Sequence, residues 1–247
     1  MTDQPTFVPK FSPARSDRVI AIMQPTFLPW AGYFHLIASS DTFVFLDTVQ
    51  LEKQSWQTRN RILVNGTEHR VSVPLDRQTI GLPLQLAQTR PRQEWFGKMR
   101  QTLAQAYAFS PFLPHTLDCF DSAYSEGDLS LARMNAAFIA AICNLLDIAT
   151  PHVHASTMKA NGARSERLIA ICQELNGETY LSPRGAADYL AEDGFDRLGG
   201  PALQFQDFTP APYPQKRATG FVSHLSIIDV LCHLGPAETR AYIGATP

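Results

Sequence analysis

Gln24, Trp30 and Tyr33, three side chains able to grip a polar or ring-bearing ligand, fall within one stretch: Met23-Gln24-Pro25-Thr26-Phe27-Leu28-Pro29-Trp30-Ala31-Gly32-Tyr33-Phe34. Pro25 and Pro29 fix φ and stiffen the turn, and Gly32 lets the backbone approach a ligand closely. The faces of Trp30 and Tyr33 can stack on a base or a sugar ring. The competing reading is a rigid turn with Trp30 as a plug in the core. A second cluster, Trp56-Gln57-Thr58-Arg59-Asn60-Arg61, sets an aromatic among polar groups. A guanidinium holds phosphate through two parallel bonds. Arg59 or Arg61 is therefore expected to take a diphosphate beside Trp30 or Trp56, with Asn60 among the binding groups. The alternative for these arginines is a surface ion pair with Asp47 or Glu52.

Asp47 and Asp229 are the candidates for a general acid or base. Each also has a structural reading, Asp47 as a turn former and Asp229 as a favourable charge in a helix N-terminal turn. The seven histidines form no metal-ligand pattern; His152-x-His154 would place two rings on one face of a strand, but no third ligand is evident. No GxSxG, Walker or GxGxxG motif is present, and no cofactor is named by the sequence.

These residues need a scaffold. Val19-Ile20-Ala21-Ile22 is a short apolar run that reads as a buried strand. Residues 33–39 read as helix and residues 42–46 as a second strand, a parallel βαβ opening. Gln24 follows the first strand, Asp47 and Gln50 follow the second, and Ser182 ends the strand that carries Tyr180. In open α/β sheets ligands sit outside the carboxyl ends of the strands, so these polar ends converge if the three strands are parallel neighbours. Asn65-Gly66 marks a hairpin between 61–64 and 69–73. Residues 84–87 form a possible further strand. Helices are expected over 94–108, 129–146 and 163–176, with Ser110-Pro111-Phe112-Leu113-Pro114 as a break. A short helix over 185–192 and an extended piece over 203–208 follow. The last helix starts at Ser226 and ends near Gly235-Pro236. The architecture expected is α/β: a parallel-sheet Rossmann-like core, one domain over 18–247, a mostly helical insertion at about 94–148 and a loose arm over 1–17.

The chain has 247 residues, 45% of them hydrophobic and 18% charged, with a formal net charge of −2. That balance supplies no global attraction to nucleic acid or membrane. No apolar run reaches the ~18 residues of a membrane span. The four cysteines lie far apart in apolar contexts and read as buried, reduced thiols rather than disulfides. A cytoplasmic protein is expected.

The stretch from Met23 to Phe34, with Phe43-Val44-Phe45-Leu46-Asp47-Thr48-Val49-Gln50, the Trp56–Arg61 cluster, Tyr180-Leu181-Ser182, Tyr213-Pro214-Gln215 and Leu225-Ser226-Ile227-Ile228-Asp229, resembles the WbqC-like protein family over about Val19 to Glu238. That resemblance implies a place among O-antigen and other surface-polysaccharide proteins. It leads to an expected transferase acting on a nucleotide-linked sugar, with a phosphate-bearing small molecule as partner. In this reading Gln24, Asp47 and Gln50 orient the ligand, Arg59 and Arg61 take phosphate, and Trp30, Tyr33 and Trp56 form stacking walls. Tyr180, Ser182, Tyr213, Gln215 and Asp229 close the far side. The spacing Leu28-x-x-x-Gly32-Tyr33-x-x-Leu36-Ile37 also resembles the opening of HIGH-motif nucleotidyltransferases and pantothenate synthetases, and Tyr180-Leu181-Ser182-Pro183-Arg184-Gly185 is similar to their later loop. Trp30 and Tyr33 stand where that superfamily has histidines on the ATP phosphates. The likeness implies an adenylate-forming or aminoacyl-transferring enzyme as the rival, which leaves room for a tRNA-borne donor. A non-catalytic polysaccharide-assembly factor is the third reading.

Overall fold

The computed structural model describes residues 17–52, 55–124 and 130–245. The arm expected over 1–17 lies, but for Asp17, outside them. Three short apolar runs become the middle of a five-stranded sheet: β1 (Val19–Met23), β2 (Thr42–Phe45) and, later in the chain, β6 (Thr179–Ser182). The β1–β2 crossover carries α1 (Ala31–Ala38), and an antiparallel hairpin, β3 (Arg59–Val64) with β4 (Thr67–Ser72), turns at Asn65-Gly66. Helices α2 (Phe96–Ala106), α3 (Leu113–Ala123) and α4 (Leu131–Leu145) then precede the edge strand β5 (His152–His154). The chain closes with α5 (Arg164–Glu174), β6, α6 (Ala187–Glu192), β7 (Ala202–Phe205) and α7 (Ile227–Tyr242).

Every pairing in the main sheet is parallel, and the spatial order is β5-β2-β1-β6-β7. The order runs outward one way from β1 through β2 to β5 and the other way through β6 to β7, which is the doubly wound, Rossmann-like arrangement. Alternation along the strands feeds two cores. Ala21, Phe43, Phe45 and Leu181 pack with α1, the helices between β4 and β5, and α7. Ile20, Ile22, Val44 and Tyr180 pack on the other face with α5 and α6. A sheet buried on both faces must be apolar on both, which explains unbroken runs such as Ile20-Ala21-Ile22.

Several expected elements change. Residues 84–87 make no strand: Leu84–Leu86 is a 3-10 turn entered from Pro83, with Leu84 buried and Leu86 exposed. The break at 110–114 separates α2 from a helix not expected from the sequence, α3, which Pro114 enters in its first turn, where a missing N–H costs nothing. The helix that starts at Ser226 breaks at Gly235 as expected, but a further helical piece follows it. Gly235 takes φ 80° and kinks the chain, and helix resumes through Pro236 to Tyr242.

All four cysteines are free and buried. Burial pushes the thiol pKa up to about 11 for Cys119 and about 12 for Cys143, Cys172 and Cys232. No helix among the described residues is long and apolar enough to cross a membrane.

Candidate functional site

The carboxyl end of β1 lies beside the point where strand order reverses, the place where α/β sheets open a crevice. The loop leaving it is held through its carbonyls. Gln24 O accepts from the Tyr33 hydroxyl at 2.9 Å, Pro25 O from Asn135 Nδ2 at 3.0 Å, Phe27 O from Asn60 Nδ2 at 3.0 Å, and Pro29 O from the Ile227 amide at 2.7 Å. Four elements thus satisfy the backbone of one loop, leaving few ways for it to move. The loop also contains Leu28 at φ 46°, a left-handed conformation unfavourable for a branched side chain.

This loop, the hairpin and the start of α7 enclose a pocket of about 240 Å³ lined by Trp30, Tyr33, Trp56, Asn60, Arg61 and His224, with Met23, Thr26 and Pro29. Trp30 faces His224, ring centroids 4.6 Å apart, and touches Phe208 at 5.6 Å. A Cβ on Gly32 would come within 2.2 Å of the Trp30 indole, so glycine there is what lets the ring lie flat across α1. Trp56 is half exposed at 52%, with the Arg61 guanidinium 5.7 Å from its ring centre. Arg61 pairs with neither Asp47 nor Glu52; its partners are Glu68 at 2.8 Å and the His224 carbonyl at 3.1 Å. A phosphate would share Arg61 with Glu68 rather than find it waiting.

Asp47 ends β2 and faces the edge strand. It is 3% exposed and accepts from the Ser156 hydroxyl at 2.7 Å and the Ser156 amide at 2.9 Å, with His154 Nδ1 at 3.0 Å. Burial alone would raise its carboxyl, but the hydrogen bonds from His154 and Ser156 outweigh it and leave the pKa below its ordinary value. An ionised Asp47 accepts only, so His154 Nδ1 is the donor of this bond and Nε2 is the ring nitrogen left for other partners. Asp47 and His154 line a second cavity, about 520 Å³, with Gln85, Gln88, Ser130 and Arg133.

Asp229 is fully buried in the first turn of α7. It accepts from the Tyr107 hydroxyl at 2.8 Å, the Tyr213 hydroxyl at 2.6 Å and Gln215 Nε2 at 3.2 Å. It lines neither cavity and shares no hydrogen-bond partner with Asp47 among the described residues; its arrangement ties α2 and the 213–215 segment to α7. Burial first, and the charge of Asp229 next, push both phenols far up, so they stay donors.

A family model described as the WbqC-like protein family matches residues 24–241. The chain belongs to that family. The match begins at Gln24 and ends inside α7, so in this WbqC-like protein it takes in both cavities and the Asp229 cluster. The chain is also 29% identical over 227 residues to "Uncharacterized protein Rv1507c" of Mycobacterium tuberculosis, covering 91% of this chain and 96% of that one. No solved structure matches it significantly.

Of the residues singled out from sequence, Trp30, Tyr33, Trp56, Asn60 and Arg61 meet in the smaller pocket. Gln24 stands behind it, its Oε1 accepting from Gln57 Nε2. Asp47 stands in the second cavity. Gln50 is exposed and bridges to Pro83, and Arg59 pairs with Ser72 across the hairpin. Tyr180 points into the far core against Phe195, and Ser182 Oγ turns to the Pro183 carbonyl. Tyr213 and Gln215 belong with Asp229. Sequence reasoning missed His154 and Ser156 as partners of Asp47, and His224 as a wall. The one available signal was a polar residue ending an apolar strand, the same signal that picked out Asp47.

Proposed function

We propose that this WbqC-like protein is a cytoplasmic transferase that modifies a nucleotide-linked sugar in O-antigen or other surface-polysaccharide biosynthesis. The observation that carries this reading is the meeting of Trp30, Tyr33, Trp56, Asn60 and Arg61 around one pocket at the tip of β1. Flat aromatic walls suit a base or sugar ring, amide and guanidinium groups suit its polar edge and phosphates, and the tip of β1 is where an α/β sheet presents a ligand. Its 240 Å³ is below the ~300–1,000 Å³ typical of whole drug-sized ligands, so it takes one ring and leaves the rest of the molecule to lie along the strand ends. The neighbouring cavity at the tip of β2 gives that remainder somewhere to go.

The adenylate-forming rival is less well supported, because Trp30 and Tyr33 bring no cation to a triphosphate and the Tyr33 hydroxyl is committed to Gln24.

The test is titration of the full chain with a panel of nucleotide-sugars, read by thermal shift and by quenching of tryptophan fluorescence. A ligand at about 100 Kd adds ~2.7 kcal/mol of stability. The expected result is a shift with at least one nucleotide-sugar and a quench that weakens in Trp56→Phe. A shift with ATP alone moves the reading to adenylate chemistry; no shift across the panel overturns it.

A further inference from the structure

The cavity at the tips of β2 and β5 holds an arrangement that ligand binding alone does not require. We propose that His154 is the catalytic base of the transfer, with Asp47 as its positioning residue, and that this cavity brings together the sugar hydroxyl or amino group being modified and an activated acyl ester or thioester. The inference rests on the transferase reading and specifies its reaction.

Three observations carry it. Asp47 fixes the ring, with its Oδ2 3.0 Å from His154 Nδ1, and this leaves Nε2 without a hydrogen-bond partner among the described residues. Both side chains line the cavity, but that of His154 is 33% exposed whereas that of Asp47 is 4% exposed, so the imidazole is the more open of the two to an incoming molecule. Ser156 is excluded as the nucleophile of a triad, since its hydroxyl donates to Asp47 at 2.7 Å rather than to the imidazole. That leaves the imidazole to act on a proton brought in by the acceptor.

The cavity is also built for a carbonyl under attack. The same cavity is lined by Ser130, the N-cap of α4, and by Ala132 and Arg133 of its first turn; the Leu131 and Arg133 amides are already bonded to Ala87 O and Ser130 Oγ, which leaves the Arg133 guanidinium and the Ala132 amide as the groups nearest to hand. Helix N-termini and guanidinium groups stabilise an oxyanion as it forms. At about 520 Å³ the space admits an acceptor and an acyl group together.

The step balances. As the acceptor oxygen or nitrogen bonds to the acyl carbon, its O–H or N–H bond breaks and the proton passes to Nε2. The bond from the acyl carbon to the donor's oxygen or sulfur then breaks. The leaving group departs with that electron pair and takes the proton from the imidazolium.

The charged and titratable groups around His154 are Asp47 on β2, Arg133 on α4 and His152 two residues back on β5; Phe45 packs on its ring at 5.2 Å.

The probe is p-nitrophenyl acetate, with water as acceptor, on the full chain. Nitrophenol release is expected to fall about 100-fold or more in His154→Gln, in line with the ~10²–10⁴-fold contribution of a positioned base. It should be unchanged in His115→Gln, an exposed histidine of α3 far from either cavity in sequence. In Asp47→Asn the rate should fall through kcat with KM little changed, and Asp47→Glu should restore part of it, a pattern that a purely structural role would not produce. β5 is an edge strand, so His154→Gln is expected to fold, which a thermal melt checks. Equal release by wild type and His154→Gln, or an equal loss in His115→Gln, overturns the proposal. Failure here with nucleotide-sugar quenching intact leaves the binding reading standing; loss of quenching with esterolysis intact does the reverse.

Discussion

The Tyr33 hydroxyl donates to the carbonyl oxygen of Gln24 at 2.9 Å, tying the first turn of α1 back to the end of β1. Burial holds this phenol's pKa well above its ordinary value, so it stays a donor throughout the working pH range. Tyr33→Phe keeps the ring and leaves the carbonyl only the long 3.4 Å bond from the Thr26 hydroxyl. A loss of about 1–2 kcal/mol in denaturant unfolding is expected, together with weaker nucleotide-sugar binding, because the loop it anchors carries Trp30.

Gly32→Ala probes the same loop from the other side. Its methyl would meet the Trp30 indole at 2.2 Å. The ring packs on Phe208 and His224 and lines the pocket, so it should swing inward and fill it. Ligand quenching should disappear while stability drops by about 1–3 kcal/mol, the usual cost of overpacking. A crystal structure with the indole unmoved would contradict this.

Asp229→Ala removes the acceptor shared by Tyr107, Tyr213 and Gln215. Two buried hydroxyls lose their partner at once, and a stability loss of about 3–5 kcal/mol is expected. Esterolysis by the surviving folded fraction should be normal per molecule, since Asp229 lines neither cavity.

Acid stability should report Asp47. Its folded pKa lies below the ordinary 3.8, so the unfolded chain binds the proton more readily. The stability it contributes is complete above that value and is lost as pH falls through the lower, folded one. Asp47→Asn should flatten that part of a stability–pH curve.

His35 governs a milder range. Burial lowers its pKa from 6.5, partly offset by Asp207, and its Nδ1 accepts from Gln206 Nε2 at 2.9 Å. The neutral ring is therefore the folded form. Its contribution is complete above 6.5 and fades as pH drops below that value toward the folded pKa. His35→Gln should reduce the fall in melting temperature over this range.

The parts of the fold legible in the sequence were those set by local pattern. Short apolar runs marked β1, β2 and β6, and Asn65-Gly66 marked the hairpin. The site split along the same line. Trp30, Tyr33, Trp56, Asn60 and Arg61 lie in two compact segments, so composition found them together. His154 meets Asp47 across 107 residues only because β5 adds to the sheet beside β2, and no spacing rule carries that. Proline marked both breaks, at 110–114 and at Gly235-Pro236, but it did not show that a new helix starts at each, because Pro is as acceptable in a first helical turn as it is disruptive in a later one. That two tyrosines and a glutamine hydrogen-bond Asp229 is likewise a long-range arrangement that an isolated sequence does not show.

The four buried, protonated thiols have a practical consequence. Maleimides and iodoacetamides react with exposed thiolate, and none of these side chains offers it near neutral pH. A cysteine introduced beside the aromatic pocket, for instance in place of the half-exposed Trp56 that lines it, would label ahead of all of them. A fluorophore or spin probe can therefore be placed at the pocket mouth in an otherwise native background.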